Sequence, residues 1–242
     1  MRIPIIRGRI DRRILANYRI DAQVASRVVP RPFRPKLVRG YAIGGICLIR
    51  LHGVRPRGVP VPIGIGSENC AHRFSVEWDT PLGVQQGVFI PRRDTSSRLN
   101  ALVGGRLFPG VHHHADFTVH ETSRDLQVAL RSDDGVTRVA VDATVAADMP
   151  SHSVFTTLAE ASSFFEQGSL GYSATPQAGR FDGLELRTAG WSVEPLAVRH
   201  LASSFFEDAA RFPAGSVTFD CALVMRDLEH EWHGRGELRE PA

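Results

Sequence analysis

Residues 71–78, AHRFSVEW, carry a clear two-residue alternation. The histidine and the large apolar residues occupy the even positions, and the other polar residues occupy the odd positions. Because successive side chains of a β-strand point to opposite faces, this pattern predicts a strand with one buried face. The same period recurs over most of the chain. We therefore predict a mainly β protein.

On either side of this strand, alternating or apolar segments bring the predicted total to nine or ten strands and two or three short helices. The strands are expected at residues 14–20, 41–51, 71–78, 87–91, 111–119, 126–131, 137–145, 183–187, 191–201 and 216–227, and the helices at 21–29, 96–103 and 153–165. Asp21 is placed to cap the first helix. The sequence Asp133-Asp134-Gly135 predicts a hairpin turn. Strands with one polar face favour antiparallel sheets that close or nearly close on themselves.

Two segments are expected to lie outside regular structure. Residues 53–66 hold three prolines and four glycines, which predicts a loop or an irregular edge. The segment His230-Glu231-Trp232-His233 lacks the HExxH spacing of a zinc protease and is expected to be a solvated end.

Composition excludes several classes of protein. No apolar run approaches the ~20 residues that a membrane helix requires. The N-terminal residues lack the apolar stretch of a secretory signal. Three scattered cysteines without a CxxC pair argue against a disulfide framework or a zinc knuckle, so we expect a reduced, cytoplasmic protein.

The charges are unevenly distributed. Residues 1–57 hold 13 arginines and one lysine against two aspartates, a net charge of +12, while the remainder holds 15 basic and 24 acidic residues, a net charge of −9. A nucleic-acid surface is one interpretation of the basic segment. However, no recognition module is evident, and pairing of the basic segment with the acidic remainder is the simpler expectation.

Three consecutive histidines are the first candidates for chemistry. In a strand, His113 shares a face with apolar neighbours, Val111, Ala115, Phe117 and Val119. We therefore expect His113 to point inward, as an acid, a base or a core histidine bonded to a carbonyl group. His112 and His114 share the other face, and a metal site there needs further ligands that the spacing does not supply.

Glu68 directly precedes the strand at 71–78, where a carboxylate could act as a general base, orient a substrate or simply cap a turn. The cluster Arg92, Arg93 and Arg98 follows, and arginine forks suit carboxylate or phosphate ligands. The chain has no Walker phosphate loop, no complete GxGxxG and no GxSxG nucleophile elbow.

Three segments resemble the acetoacetate decarboxylase superfamily. The sequences NYRID at 17–21 and VVPRPF at 28–33 are similar to the first strand, helix and proline turn of that family. The sequence GSE at 66–68 precedes a strand, as a functional glutamate does in the family. The sequence GRL at 105–107 leads into the histidines, as a Gly-Arg-Glu-Leu segment leads to the Schiff-base lysine.

The resemblance to the superfamily covers about residues 10–120 and is weaker beyond them. The whole chain is similar to an uncharacterised bacterial branch of this superfamily, a domain of unknown function. The resemblance implies a single domain over residues 1–242. It also implies an α+β but mainly β fold, a cone-shaped and largely antiparallel β-barrel that holds a pocket.

The chain departs from the family at the nucleophile. Lys36 is its one lysine. Counted without gaps from Arg106, the two family lysines fall on His113 and His114. Histidine cannot form the iminium of a Schiff-base mechanism. The resemblance therefore implies that this chain has the pocket of the family but lacks its Schiff-base lysine.

We expect the protein to bind, and to transform by acid–base chemistry, a small anionic oxo-acid or related carbonyl compound, with lyase-like reactions favoured. In this hypothesis His113 moves a proton and Glu68 assists, while the anion is held by Arg106, Arg93, Arg13 and His114. No cofactor, metal, nucleic acid or membrane partner is expected, and a homo-oligomer is left open. The alternative is a non-catalytic small-molecule-binding β-barrel.

Overall fold

The computed structural model describes residues 4–58, 65–103 and 110–241. The strands in these residues are β1 (Ile6–Asp21), β2 (Arg34–Pro35), β3 (Leu37–Val38), β4 (Tyr41–Pro56), β5 (Ile65–Thr80), β6 (Gly83–Thr95), β7 (His112–Glu121), β8 (Asp125–Ser132), β9 (Arg138–Val145), β10 (Leu170–Ala174), β11 (Arg180–Thr188), β12 (Glu194–Ser203) and β13 (Val217–Arg239). The helices are α1 (Ala22–Val28), α2 (Arg98–Val103) and α3 (Leu158–Glu166), with a 3₁₀ turn at Gln167–Ser169.

The strands join into one sheet in the order β11-β10-β6-β7-β8-β9-β12-β13-β1-β4-β5-β2, with β3 against β4. Strand β6 also pairs with β5, and β11 also pairs with β13, so the hydrogen-bonded strands close into a ring. Strand β6 pairs in parallel with β7 and β10, and the other described pairings are antiparallel. The prediction of a mainly β, largely antiparallel and closed sheet is confirmed.

Two apolar clusters divide the interior. Ala16 and Ala222 belong to a larger core, which also holds Phe74 and most of the inward residues of β8 and β9. Their chain neighbours Leu15 and Leu223 belong to a smaller core with residues of α3. Because adjacent residues of a strand point to opposite faces, the long strands contribute to both cores at once.

Two local structures form as predicted, the N-terminal cap of α1 and the turn between β8 and β9. One carboxylate oxygen of Asp21 accepts hydrogen bonds from the backbone N–H groups of Gln23 at 2.9 Å and Val24 at 3.0 Å, which caps α1. Gly135 joins β8 to β9 with a φ of 71°, a left-handed conformation that glycine adopts at little cost.

Other boundaries differ from the sequence-based expectation. Strand β4 continues to Pro56 and β5 begins at Ile65, so the expected loop is partly strand; residues 59–64 lie outside the described part. The prediction of a solvated end at 230–233 is wrong. These residues belong to β13, where pairing with both β1 and β11 buries His230. Strand β10 and the two-residue strands β2 and β3 were not predicted, because each is too short to show a period.

The basic N-terminal segment pairs with the acidic remainder, as expected. Its arginines reach carboxylates that follow residue 57: Arg12 and Arg50 pair with Glu68 and Glu121, Arg19 with Asp220, Arg34 with Glu77 and Asp79, Arg39 with Glu160, and Arg57 with Glu231. Within the described ranges, no helix has both the length and the apolar character needed to cross a bilayer.

The position of Phe74 in the larger core predicts how much its truncation would destabilise the fold. Phe74 is 1% exposed, and its ring lies 6.0 Å from that of Phe206. We expect Phe74→Ala to lower the free energy of unfolding by about 3–5 kcal/mol, because it removes the ring and leaves a cavity. Leu82→Ala, at a 94% exposed position, is the control and should change it by less than about 0.5 kcal/mol. Equal urea-unfolding midpoints for the two variants would contradict this assignment.

Candidate functional site

A cavity of about 220 Å³ lies on the face of the sheet that carries the smaller core. Most of its lining is apolar, and Ile49, Leu51 and Trp232 are part of its wall. A single row of residues in register across four strands lines one part of it. Cys47 of β4 pairs with Ala71 of β5, Ala71 with Arg93 of β6, and Arg93 with His112 of β7. Side chains in register on one face are direct neighbours. We call these four residues the cross-strand row.

Arg93 is the cation of the cross-strand row. Its Nε donates a hydrogen bond to the hydroxyl of Ser173 at 2.9 Å. No carboxylate in the described part of the chain forms an ion pair with Arg93. The surrounding protein lowers the pKa of Arg93 to about 10 because burial disfavours its charge. A guanidinium in such an environment gains most from an anion that it can bind in a bidentate manner.

His112 stands beside Arg93 and is neutral near pH 7. Burial and, next, the Arg93 guanidinium lower the pKa of His112 to about 4, while its hydrogen bond to Gly110 opposes this change. The Nδ1 atom lies 3.2 Å from the Gly110 carbonyl oxygen. Since a carbonyl oxygen only accepts, Nδ1 carries the proton and Nε2 the lone pair.

Cys47 connects the row to a second arginine. Arg13 Nε donates to the Cys47 sulfur at 3.2 Å, and its guanidinium carbon lies 5.8 Å from the centre of the Trp191 ring. Arg13 likewise forms no ion pair with any carboxylate of the described residues. Two arginines without acidic partners thus flank one thiol. This arrangement makes the smaller-core face locally cationic.

Glu68 lies on the opposite face of β5. Its neighbours Ser67 and Asn69 line the cavity, and alternation turns Glu68 away from it. The carboxylate accepts from Arg12 Nη2 at 2.5 Å and from Arg50 Nε at 2.5 Å. The same two arginines hold Glu121. The four charges balance within one cluster, so both oxygens of Glu68 are engaged by protein cations.

His113 also lies away from the cavity. It is in register with Asp94, its Nδ1 is 3.2 Å from a carboxylate oxygen of Asp134, and its side chain is 35% exposed. Burial and the nearby Arg92 guanidinium lower the pKa of His113, whereas Asp94 and Asp134 oppose that change. His113 is thus part of a charge network near the protein surface.

His114 takes part in a surface cluster. Its Nδ1 lies 2.8 Å from a carboxylate oxygen of Asp133. Together with Asp116, these residues offer three donor atoms within 4.8 Å of one another, and both aspartates are exposed. The cluster differs from the His112 and His114 pair considered from the sequence, because His112 lines the cavity instead.

The structure therefore brings only part of the predicted site together. Arg93 lies in the cavity and Arg13 reaches it through Cys47, whereas Glu68, His113 and His114 do not line it. Arg106 lies outside the described residues. His113 instead lines a separate cavity of about 240 Å³ with Arg92, Arg93 and Ser173, while Ala115, on the same face of β7, packs into the larger core. His112 and Cys47, which line the cavity, were not among the predicted substrate-binding or catalytic residues. Alternation showed that His112 faces away from that core, but not which face holds a cavity.

Solved structures of similar fold are acetoacetate decarboxylase-like. Acetoacetate decarboxylase from Legionella pneumophila matches with a TM-score of 0.59 at 10% identity, over 96% of this chain and 87% of that one. The enduracididine biosynthesis enzyme MppR, complexed with the condensation product of pyruvate and imidazole 4-carboxaldehyde, matches with a TM-score of 0.57 at 11% identity, over 97% and 88%. An acetoacetate decarboxylase-like enzyme from Sphingomonas wittichii RW1 matches with a TM-score of 0.56 at 9% identity, over 100% and 94%.

These matches define the class of fold, which is acetoacetate decarboxylase-like. Residues 8–214 match the model of DUF2071, a family of uncharacterized conserved proteins, and the chain belongs to this family. Among curated proteins, no significant sequence match is found.

The buried histidines predict how stability depends on pH. In the fold the pKa of His72 is lowered to about 3, and those of His112 and His230 to about 4, with burial as the largest cause. Each pKa lies below its unfolded value, so only the unfolded chain gains these protons as the pH falls below about 6.5. Stability should therefore fall between pH 6.5 and 4, by about 1.4 kcal/mol per pH unit for each histidine.

Urea unfolding at pH 7, 6 and 5 measures this dependence. His112→Gln should reduce the slope, because it removes one of the three groups. Equal stability of the native sequence at pH 7 and pH 5 would show that these histidines take up protons in the fold.

Proposed function

We propose that this protein binds a small organic carboxylate in the cavity, with Arg93 as the anion-binding residue. One observation carries the proposal. In a mostly apolar cavity, Arg93 donates to the Ser173 hydroxyl, and no carboxylate of the described chain pairs with it. A ligand carboxylate would supply the missing counter-charge through two parallel N–H···O bonds.

The proposed ligand class is an oxo-acid or a related carbonyl compound. The fold resembles that of MppR, whose structure holds a condensation product of pyruvate. This likeness supports, for this chain, a ligand that carries both a carboxylate and a carbonyl group. In our proposal Arg93 binds the carboxylate, and the rest of the ligand lies beside His112, which lines the same cavity.

The proposed chemistry does not use a Schiff base. Lys36, the one lysine of the chain, donates from Nζ to Gln86 Oε1 at 2.5 Å and lies 4.6 Å from the centre of the Phe164 ring. It is not among the residues that line the cavity. An iminium at the cross-strand row therefore has no lysine amine from which to form.

Catalysis is the second candidate function. It is favoured by the position of His112 beside Arg93, because a ligand bound to the cation would lie next to a proton acceptor. The lowered pKa of His112 makes it a weak base, which favours binding over proton abstraction. The catalytic roles predicted for Glu68 and His113 stay predictions, and the geometry of the cavity supports neither.

Replacement of Arg93 tests the binding proposal. We expect the native protein to bind 2-oxo acids of three to eight carbons at least tenfold more tightly than the matching amides. Arg93→Gln should weaken binding of the acids by about 10- to 100-fold, because it removes a charge-assisted pair. Isothermal titration calorimetry measures both.

Arg199→Gln is the matched control, because Arg199 pairs with Asp125 and Asp142 on the exposed surface and should leave binding unchanged. Unaltered affinity in Arg93→Gln, or no binding of any acid to the native protein, would contradict the proposal. Proton NMR shows whether a bound acid is consumed. Its consumption would favour a catalytic function over a non-catalytic binding function.

Chemical trapping tests the proposal that the chemistry does not use a Schiff base. After incubation with acetoacetate and cyanoborohydride, the intact mass of the protein should be unchanged, since an iminium must form before it can be reduced. A stoichiometric mass increase that disappears in Lys36→Arg would show that the lysine acts as the nucleophile after all.

A further inference from the structure

The cavity extends well beyond the cross-strand row. Ala71 and Ser67 both line it, and they lie four residues apart on β5. At a rise of about 3.3 Å per residue, the cavity therefore runs for about 13 Å along this strand. Such a length exceeds what an acid of three or four carbons would occupy.

Most of the wall beyond the row is apolar, and the cation there, Arg55, donates from Nη1 to the Gly53 carbonyl oxygen at 2.9 Å. Ile49 and Leu51 follow Cys47 on the same face of β4, and Ile6 pairs with Trp232 further along. A polar group on this path, the Asn69 amide, donates to the carbonyl oxygen and hydroxyl of Ser67 at 3.1 and 2.9 Å. Its hydrogen-bonding needs are thus met by the protein. This stretch therefore suits a hydrocarbon chain better than a polar substituent.

The volume limits the length of that chain. A cavity of 150 Å³ holds benzene, which has six heavy atoms, so about 220 Å³ suits about nine heavy atoms. A carboxylate supplies two oxygens, which leaves about seven carbon atoms by the same proportion. The volume and the lining of the cavity both fit a molecule with one anionic head and one apolar tail.

We propose that the ligand is a linear aliphatic carboxylate of about six to eight carbon atoms, an estimate that follows from the packing of known cavities. Its carboxylate lies at Arg93 beside His112, and its chain runs along β4 and β5 toward Ile6 and Trp232. This inference rests on the proposed carboxylate binding and narrows its ligand class. Plain alkanoates and 2-oxo acids share this chemistry, and the experiment separates them.

Calorimetric titration with two series, alkanoates and 2-oxo acids of three to twelve carbons, tests the inference on the native protein. We expect affinity to rise about two- to fourfold per added methylene up to six to eight carbons, because each one buries apolar surface. Beyond that length it should rise no further. The series that binds more tightly at equal length identifies the head group.

Val54→Trp, at the end of the cavity away from the row, supplies an independent check. It should weaken binding of an eight-carbon acid at least tenfold and leave a four-carbon acid within about twofold, since only the longer tail reaches that end. Val136→Trp, the same change at an exposed site, is the control and should alter neither. If Val54→Trp does not fold, the two chain-length series decide alone.

The outcomes separate the two proposals. Tightest binding of three- or four-carbon acids, or affinity that does not change with length, would overturn the long-chain inference. In either case, the proposed carboxylate binding would stand if Arg93→Gln still weakened the binding of the acids. The absence of binding across both series would overturn both proposals.

Discussion

Side-chain alternation along the long strands governs what each face of this sheet does. Strands β1, β4, β5 and β6 pair over most of their length, so a residue on one face has neighbours from other strands on that face. One face carries the larger core and the charge cluster around Glu68. The other carries the smaller core, the cavity and Arg93. A shift of one residue in register would exchange these roles.

The arginines of the two faces differ in what balances their charge. Arg12 and Arg50 each contact two carboxylates, and that cluster is neutral without any ligand. Arg93 donates to a hydroxyl group instead. A paired cation inside a protein stabilises the fold only modestly, whereas an unpaired one favours any state that supplies an anion. This difference, rather than the number of arginines, distinguishes the structural face from the face where we propose that a ligand binds.

Sequence reasoning predicted the period-two strands, the Asp21 cap and the Gly135 turn, because each depends on neighbours within a few residues. It also named Arg93 as a candidate anion-binding residue, although it ended the strand at residue 91 and β6 continues to Thr95. It could not predict which face of β7 meets a cavity, because this depends on β4 and β13, which are distant in sequence. For the same reason the resemblance to the decarboxylases directed attention to His113, whereas the cavity meets His112.

Strand β13 gives the cavity an unusual place in the molecule. Trp232 of this last strand pairs with Ile6 at the start of the first one, and both line the same wall. A molecule held there would contact segments from opposite ends of the sequence, together with the middle strands that join them. Its binding energy would resist separation of the terminal strands, and the whole ring would become more cooperative in unfolding. Binding of the proposed ligand and closure of the ring would thereby be coupled.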